Sequence, residues 1–241
     1  MKRLALLAMV TMLAACGGSG DGKTGPVDDP PATVDADRVW QALVTAERTW
    51  RMKGSGTDGN AYDVRTLLKP RGAAPLAADN TEPAQLYEVV ELTTTIEHGA
   101  DTYLTSSYLL YLEPEHKQVS YIVSPTGAYC ARPPSARAFT PPASSAQLND
   151  SGLMFEGLAY ALAGSGCDYP NAVLNGPALS LQWSYDSRNA LPSFCLHLTS
   201  RVTTFMTRQS TCFEVAEMSR VGAQVHYVYA ITRFEIQAKN F

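Results

Sequence analysis

After about residue 49, apolar and polar residues alternate along most of the chain, a pattern typical of β-strands with one buried and one solvated face. The segment before it has a different period: its apolar residues recur at helical spacing up to about Arg48, and Asp37 is placed to cap the helix. Those apolar residues are Val39, Trp40, Leu43, Val44 and Ala46. The pattern therefore predicts one N-terminal helix followed by an antiparallel β-meander.

The first pair of strands carries the clearest turn signal. Two alternating runs flank Thr57-Asp58-Gly59-Asn60, and Asp-Gly between such runs is a strong hairpin signal. The runs contain Trp50, Met52 and Gly54 on one side and Tyr62, Val64, Thr66 and Leu68 on the other. We expect residues 57–60 to form the tip of a hairpin.

Further strands are predicted over 86–97, 102–112, 118–124, 153–162, 179–185, 194–200, 207–217 and 225–236. The prolines of 70–84 and 125–145 predict loops. About ten strands with one helix indicate a mainly β fold, as a sandwich, an open barrel or a curved sheet with the helix against it. We expect a single β-rich domain over 37–241, and the loop near 125–150 leaves open a division into two sub-sheets.

The N-terminus carries an export signal. Lys2 and Arg3 precede a twelve-residue apolar stretch, Leu4 to Ala15, which is too short to span a bilayer, since a spanning helix needs about 20 residues. The stretch ends in Leu13-Ala14-Ala15-Cys16. This ending resembles the lipobox of bacterial lipoproteins. The resemblance implies cleavage of residues 1–15, with Cys16 acylated on its sulfur and its amine. The alternative is an ordinary signal peptide followed by a spare cysteine.

The residue after the cysteine is Gly17 and not Asp, which by the same resemblance favours lipid anchoring in the outer membrane, on its periplasmic side. Residues 16–36 then form a Gly-, Ser-, Pro- and Asp-rich tether. Its nineteen residues 17–35 reach about 25 Å. We therefore expect the folded domain to stand off the bilayer that Cys16 enters.

Net charge argues against nucleic acid as a partner. The chain carries −4, and loss of the two cationic signal residues makes the mature chain −6. Phosphate backbones are bound by clusters of Lys and Arg. Residues 17–24 match the letters of a phosphate-binding loop, but that loop needs a strand before it and a helix after it, and here a signal precedes it and a tether follows. We predict no cofactor, and an envelope protein as partner.

Four cysteines remain after Cys16. In an exported chain an even number predicts disulfides, here two, with three possible pairings. They are Cys130, Cys167, Cys195 and Cys212. The first two flank one predicted strand and the last two lie on neighbouring strands, which favours pairing 130 with 167 and 195 with 212.

No catalytic or metal-binding constellation emerges from the sequence. His197 shares a strand face with Cys195, but a metal would need further ligands and a nucleophile would need a free thiol. Asp58, Asn60 and Asp63 have some of the character of a calcium loop, yet no bidentate Glu follows, so a hairpin tip is the better interpretation. The Gly-x-Ser-x-Gly, His-Glu-x-x-His and Ser-x-x-Lys signatures are absent.

Residues 54–62 and Asp150-Ser151-Gly152 also resemble segments of uncharacterised proteobacterial secreted lipoproteins, a resemblance that implies no activity. We therefore expect a non-catalytic envelope lipoprotein that binds a partner or stabilises an assembly. Exposed strand tyrosines and the 125–145 loop are the candidate contact surfaces. Two alternatives stay open. One is a lipid-handling module with an apolar concave sheet, and the other is an envelope enzyme with an unrecognised site.

Overall fold

A computed structural model describes residues 33–77, 83–133, 139–163, 166–172, 177–188, 191–202, 205–215, 220–229 and 232–239. Cys16 and the tether up to residue 32 lie outside these residues. Among the described residues, no helix is both long enough and apolar enough to cross a bilayer.

The chain contains one helix and fifteen strands in its described part. In chain order the elements are β1 (Thr33–Val34), α1 (Ala36–Val44), β2 (Arg48–Gly56), β3 (Ala61–Leu76), β4 (Gln85–His98), β5 (Asp101–Leu112), β6 (Val119–Val123), β7 (Cys130–Arg132), β8 (Ala146–Gln147), β9 (Ser151–Ala163), β10 (Gly166–Ala172), β11 (Ala178–Arg188), β12 (Leu191–Val202), β13 (Phe205–Glu214), β14 (Arg220–Tyr229) and β15 (Thr232–Lys239).

Thirteen of these strands form one antiparallel sheet in the order β10-β9-β11-β12-β13-β14-β15-β2-β3-β4-β5-β6-β7. The sheet curls round until β7, the last strand in this order, also pairs with β9, the second. The predicted mainly β fold with one N-terminal helix is confirmed, in its curved-sheet form. The division into two sub-sheets near 125–150 is not found among the described strands, because β7 joins β6 to β9.

The helix α1 closes one end of the curled sheet. Its cap is Asp35 and not Asp37 as predicted: the Asp35 carboxylate accepts a hydrogen bond from the Arg38 backbone N–H at 2.9 Å. Asp37 lies in the first turn, where an acidic side chain is favoured by the helix dipole. Trp40 is 1 % exposed, and its indole donates to the Lys117 carbonyl at 3.0 Å. The apolar face of the helix therefore lies inside the sheet.

The main core fills the concave side of the sheet around α1. It combines the helix residues with inward residues of β3 to β9 and β11 to β13, among them Leu68, Leu110, Phe155, Trp183 and Phe194. These side chains are almost completely buried. Because burial of apolar surface is the main favourable term in folding, this end of the sheet is where we expect most of the stability.

Further from the helix the interior becomes polar. The Gln209 amide of β13 donates to the Ser106 hydroxyl of β5 across the interior. The hydroxyls of Thr66 and Thr94 lie 3.4 Å apart on neighbouring strands. All four groups are satisfied without water or ligand, as buried polar groups require.

Several elements differ from the sequence-based prediction. The helix ends at Val44 and not near Arg48, so Ala46 lies outside it and is exposed. The short strands β1 and β8 were not predicted. Residues 70–76 continue β3 beyond the predicted start of a loop, with a register shift between Pro70 and Gly72. The predicted 125–145 loop contains β7. The predicted strand 225–236 is a hairpin of β14 and β15. The strand β10 was not predicted at all. Proline predicts a loop because it lacks an N–H to donate to a neighbouring strand. At Pro70 the strand pairing is irregular, so the missing N–H does not end the strand.

Candidate functional site

A cleft of about 450 Å³ opens on the outer face of β2, β3 and β4, close to the hairpin tip. Met52 and Val64, which lie on its lining, turn their side chains into the interior and are 3 % and 1 % exposed. Their neighbours along each strand therefore point outward, since side chains alternate. Five exposed charged residues form the walls. They are Arg51, Lys53, Asp63, Arg65 and Glu97.

The strand register sorts these five charges into two rows. Arg51 lies directly opposite Arg65, and one step along the strands Lys53 lies opposite Asp63, which lies opposite Glu97. Residues directly opposite on one sheet face have Cβ atoms about 4.5–5.5 Å apart, and like charges in that position destabilise the sheet. The cleft therefore contains two like-charge pairs, one cationic and one anionic, side by side.

None of the five makes an ion pair or a side-chain hydrogen bond in the described chain. The two guanidinium groups thus keep their donors available. Each guanidinium presents five N–H donors in a planar fork that matches a carboxylate or phosphate. Such an arrangement is able to bind an anion through non-covalent contacts.

Glu91, elsewhere on the same strands, is paired. Glu91 of β4 accepts hydrogen bonds from Arg71 of β3, from Thr93 at 3.1 Å and from Ser107 at 3.3 Å. Partial burial raises the pKa of the Glu91 carboxyl, but these hydrogen bonds and the Arg71 charge outweigh the burial and hold the pKa below its ordinary value. A carboxylate held in this way stays ionised and serves the fold.

The hairpin tip beside the cleft is closed by its own side chains. The Asp58 carboxylate accepts from the Tyr62 hydroxyl at 2.6 Å and from the Asn60 N–H and amide at 3.0 and 2.9 Å. The Tyr62 hydrogen bond contributes most to lowering the pKa of the Asp58 carboxyl. Gly59 has φ +82°, the left-handed conformation that glycine adopts at no steric cost. The predicted hairpin tip is confirmed.

Both favoured disulfides are present in the structure. Cys130 is bonded to Cys167, and Cys195 is bonded to Cys212. The first links β7 to β10, and both cysteines lie in a second apolar cluster with Tyr87, Tyr121 and Tyr160. This cluster lies on the opposite side of the sheet from the main core.

His197 is surrounded by hydroxyls. Its Nε2 lies 2.9 Å from the Ser184 hydroxyl, and its Nδ1 lies 2.8 Å from the Ser210 hydroxyl. The Cys195 sulfur is in its disulfide, so it is not a thiolate beside the imidazole. Within the described residues, no three His, Cys, Asp or Glu side chains are grouped as metal ligands would be.

The tyrosines whose side chains the structure describes do not form an exposed surface. Among the side chains that the structure describes, Tyr62, Tyr87, Tyr108, Tyr121, Tyr160 and Tyr185 are buried, and Tyr111 and Tyr129 are partly buried. Tyr103, Tyr227 and Tyr229 have side chains outside that description. Burial raises the pKa of the Tyr129 hydroxyl to about 12, with a smaller contribution from Tyr108. High β-propensity and packing account for the described tyrosines.

The proline-rich loop is part of the closure of the fold in its described portions. The Ala143 carbonyl accepts the N–H groups of Ala36 and Asp37 at the start of α1. The Thr140 carbonyl accepts from the Trp183 indole at 3.0 Å. Gly152 lies beneath this contact, and a Cβ there would come within 2.4 Å of the indole nitrogen. This segment seals the helix end, so its deletion would disturb folding as well as any contact with a partner.

The interior offers little space beside the helix. One cavity near Trp40 and another between β4 and β13 each measure about 10 Å³. That is about the minimum volume that holds one water molecule. In the described chain, the continuous apolar cavity expected of a lipid-handling module is not observed at either place.

Sequence reasoning did not single out the cleft, although the signal for it was present. The hairpin turn fixes which residue faces which, and the predicted inward positions Met52 and Val64 place Arg51 and Arg65 on the outer face of neighbouring strands. The row with Glu97 also needed the register of β4, which depends on a long connection and was not deducible.

The chain was compared with known proteins by family, by sequence and by structure. No protein-family model matches it, no curated protein matches it, and no solved structure matches it.

Proposed function

We propose that this protein is a lipid-anchored lipoprotein of the cell envelope whose β domain is a non-catalytic binding module. Acylation of Cys16 would hold it in the outer membrane on the periplasmic side, and an envelope component would be its partner. The observation that carries the binding role is the contrast, within the described chain, between two interior cavities of about 10 Å³ and an outward cleft of about 450 Å³ with unpaired arginines.

The position of the N-terminus supports a tethered arrangement. The described chain begins at Thr33, which pairs with Gln147 beside the start of α1. Leu68 of β3 packs in the same core cluster as the helix, and Asp63 precedes it by five residues on the same strand. At about 3.4 Å per residue, the Asp63 row of the cleft lies about 17 Å from the level of the helix, toward the hairpin tip. A tether entering at the helix end would therefore leave the cleft directed away from the anchor.

Three carboxylates with lowered pKa are unsuited to act as general acids. A general acid needs a pKa near the working pH. Backbone N–H groups of His116 and Glu115 lower the pKa of Glu113, and hydrogen bonds likewise lower the pKa values of Asp58 and Glu91. These groups are ionised and occupied by structural hydrogen bonds.

The anchor is tested by mass spectrometry of the N-terminal peptide and by membrane fractionation. The wild-type peptide should begin at Cys16 with the mass of its acyl chains, and the protein should stay with the membrane after a high-salt wash. Cys16→Ser should abolish both. An unmodified N-terminal peptide in the wild-type protein would overturn the anchor.

The binding role is tested by functional rescue in cells at matched protein level, because a destabilised variant would be degraded and mimic loss of function. A chain with Cys16→Ser should fail to rescue if partner contact at the membrane is the function. Rescue at the wild-type level by this soluble variant would contradict the tethered binding role.

A further inference from the structure

We propose that Arg51 and Arg65 form an oxyanion-binding site in the outer cleft, and that its ligand is a small polar molecule or group bearing a carboxylate or phosphate. The inference deepens the proposed function and rests on its claim that the domain is a binding module. It does not depend on the lipid anchor.

The two guanidinium groups are placed so that they can share one ligand. They lie directly opposite each other on β2 and β3, both are exposed, and neither has a partner in the described chain. Two planar forks on adjacent strands can both donate to one oxyanion, which neutralises their mutual repulsion. Bidentate Arg–carboxylate and Arg–phosphate pairs are among the strongest hydrogen bonds in proteins.

Opposite charges are brought together at other places on or beside this sheet. The Lys69 Nζ lies 2.9 Å from Glu47 Oε2, and the Lys117 Nζ lies 2.5 Å from Glu88 Oε1. Arg71 pairs with Glu91. In the cleft the same strands place Arg51 opposite Arg65, whereas Asp63 has Glu97 on one side and Lys53 on the other. The Arg51–Arg65 pair is unfavourable for the empty sheet. An anion between the arginines removes the conflict, whereas a purely solvated face gives no reason for it.

The surface around the arginines has the size and the hydrogen-bonding groups of a small-molecule site. A volume of about 450 Å³ is in the range of small-molecule sites. Asp63 lies two residues from Arg65 along β3, a distance of about 7 Å, and Glu97 lies opposite Asp63 on β4. Their carboxylates accept hydrogen bonds only, so the matching ligand carries hydroxyl or amine donors at about that distance from its oxyanion. A carboxylated sugar and a sugar phosphate both satisfy this description.

The test is calorimetric titration of the full chain in neutral detergent micelles. The three probes are inorganic phosphate, glucuronate and glucose, all at one fixed ionic strength. We expect phosphate or glucuronate to bind and glucose not to bind. Phosphate alone would support an oxyanion site suited to phosphoryl groups, and glucuronate binding more tightly than phosphate would support a carboxylated sugar. No binding of either anion, or equal binding of glucose, would overturn the proposal.

Three variants locate the site. Arg51→Ala and Arg65→Ala should each weaken binding of the anion by at least about tenfold, because each removes a charge-assisted pair. Arg208→Ala is the matched control, since Arg208 is another exposed arginine on the sheet without a partner in the described chain. It should change binding less than twofold. Equal weakening in all three variants would overturn the site and indicate a general charge effect.

Arg51→Lys separates charge from geometry, because lysine keeps the charge but lacks the planar fork. We expect it to weaken binding, though less than Arg51→Ala. Unchanged anion binding in both Arg51→Lys and Arg51→Ala would contradict the assigned role of Arg51. Failure of the titration with Cys16 acylated overturns this inference alone, whereas an unmodified Cys16 with intact anion binding overturns the anchor alone.

Discussion

The two ends of the outer face of β2, β3 and β4 carry the same types of side chain. They differ in how the charges are arranged. Toward the helix, Glu91 accepts hydrogen bonds from Arg71, Thr93 and Ser107, and the charges are neutralised in pairs. Toward the hairpin tip, Arg51 faces Arg65 and no acidic partner reaches either in the described chain.

The difference leads to opposite expectations for substitutions at the two ends. The helix-side end combines satisfied polar groups with the packed core beneath it, so changes there are expected to reduce stability. The cleft end has like charges opposed on an exposed surface, so changes there are expected to leave stability intact or to raise it. A residue that costs stability when the protein is empty is a candidate for function, because natural proteins accept such costs at binding sites.

The largest expected effect is at the helix-side end. Trp40→Ala should lower the free energy of unfolding by about 3–5 kcal/mol, since it removes a fully buried aromatic side chain. Trp40 is 1 % exposed and also donates to the Lys117 carbonyl. Urea denaturation followed by circular dichroism measures the change. A loss below about 1 kcal/mol would mean that α1 is not part of the cooperative core.

A smaller effect is expected for Glu91→Gln, about 1–2 kcal/mol at pH 7, because charge-assisted hydrogen bonds become neutral ones. The pH dependence follows from the lowered pKa of Glu91. In the window between its folded pKa and its ordinary value of 4.5, the unfolded state binds more protons. The contribution is therefore fully present above that ordinary value and is lost as the pH falls through the folded pKa.

The difference in unfolding free energy between wild type and Glu91→Gln should thus be constant near neutral pH and shrink on acidification. Denaturation curves at pH 7 and pH 3 give the comparison. A difference that grows on acidification would show that the Glu91 network does not stabilise the fold through its charge.

The cleft should respond with the opposite sign. Arg65→Ala should leave the unfolding free energy unchanged or raise it by up to about 1 kcal/mol, because it relieves a like-charge pair. The gain should decrease with added salt, which screens exposed charges. Destabilisation by Arg65→Ala at low salt would mean that the arginine supports the fold.

The smallest effect on function is expected at His197, which lies between two hydroxyls. His197→Ala, with the Cys195–Cys212 bridge intact, should leave the cellular phenotype near wild type at matched protein level. Abolition of function at normal abundance would instead point to an active site beside Cys195.

The sequence allowed the general fold to be predicted because its signals are local. Alternation from Trp50 to Leu68 located the first hairpin, and helical spacing around Trp40 located the single helix. The favoured cysteine pairing also followed from the predicted strand order. The closure of the sheet through β7 was not predictable, because a three-residue strand inside a proline-rich segment carries almost no pattern. Burial of Tyr87 and Tyr121 on the outer side depends on β10, whose strand pattern was equally weak.

The most direct test of the charge segregation is a double-mutant cycle of unfolding free energies for Arg51→Ala and Arg65→Ala, without and with a saturating oxyanion probe. Such a cycle isolates the interaction between the two side chains. We predict an unfavourable interaction of about 0.2–1 kcal/mol in the empty protein that becomes favourable when the anion is bound. A zero or favourable interaction in the empty protein, unchanged by the anion, would contradict the account.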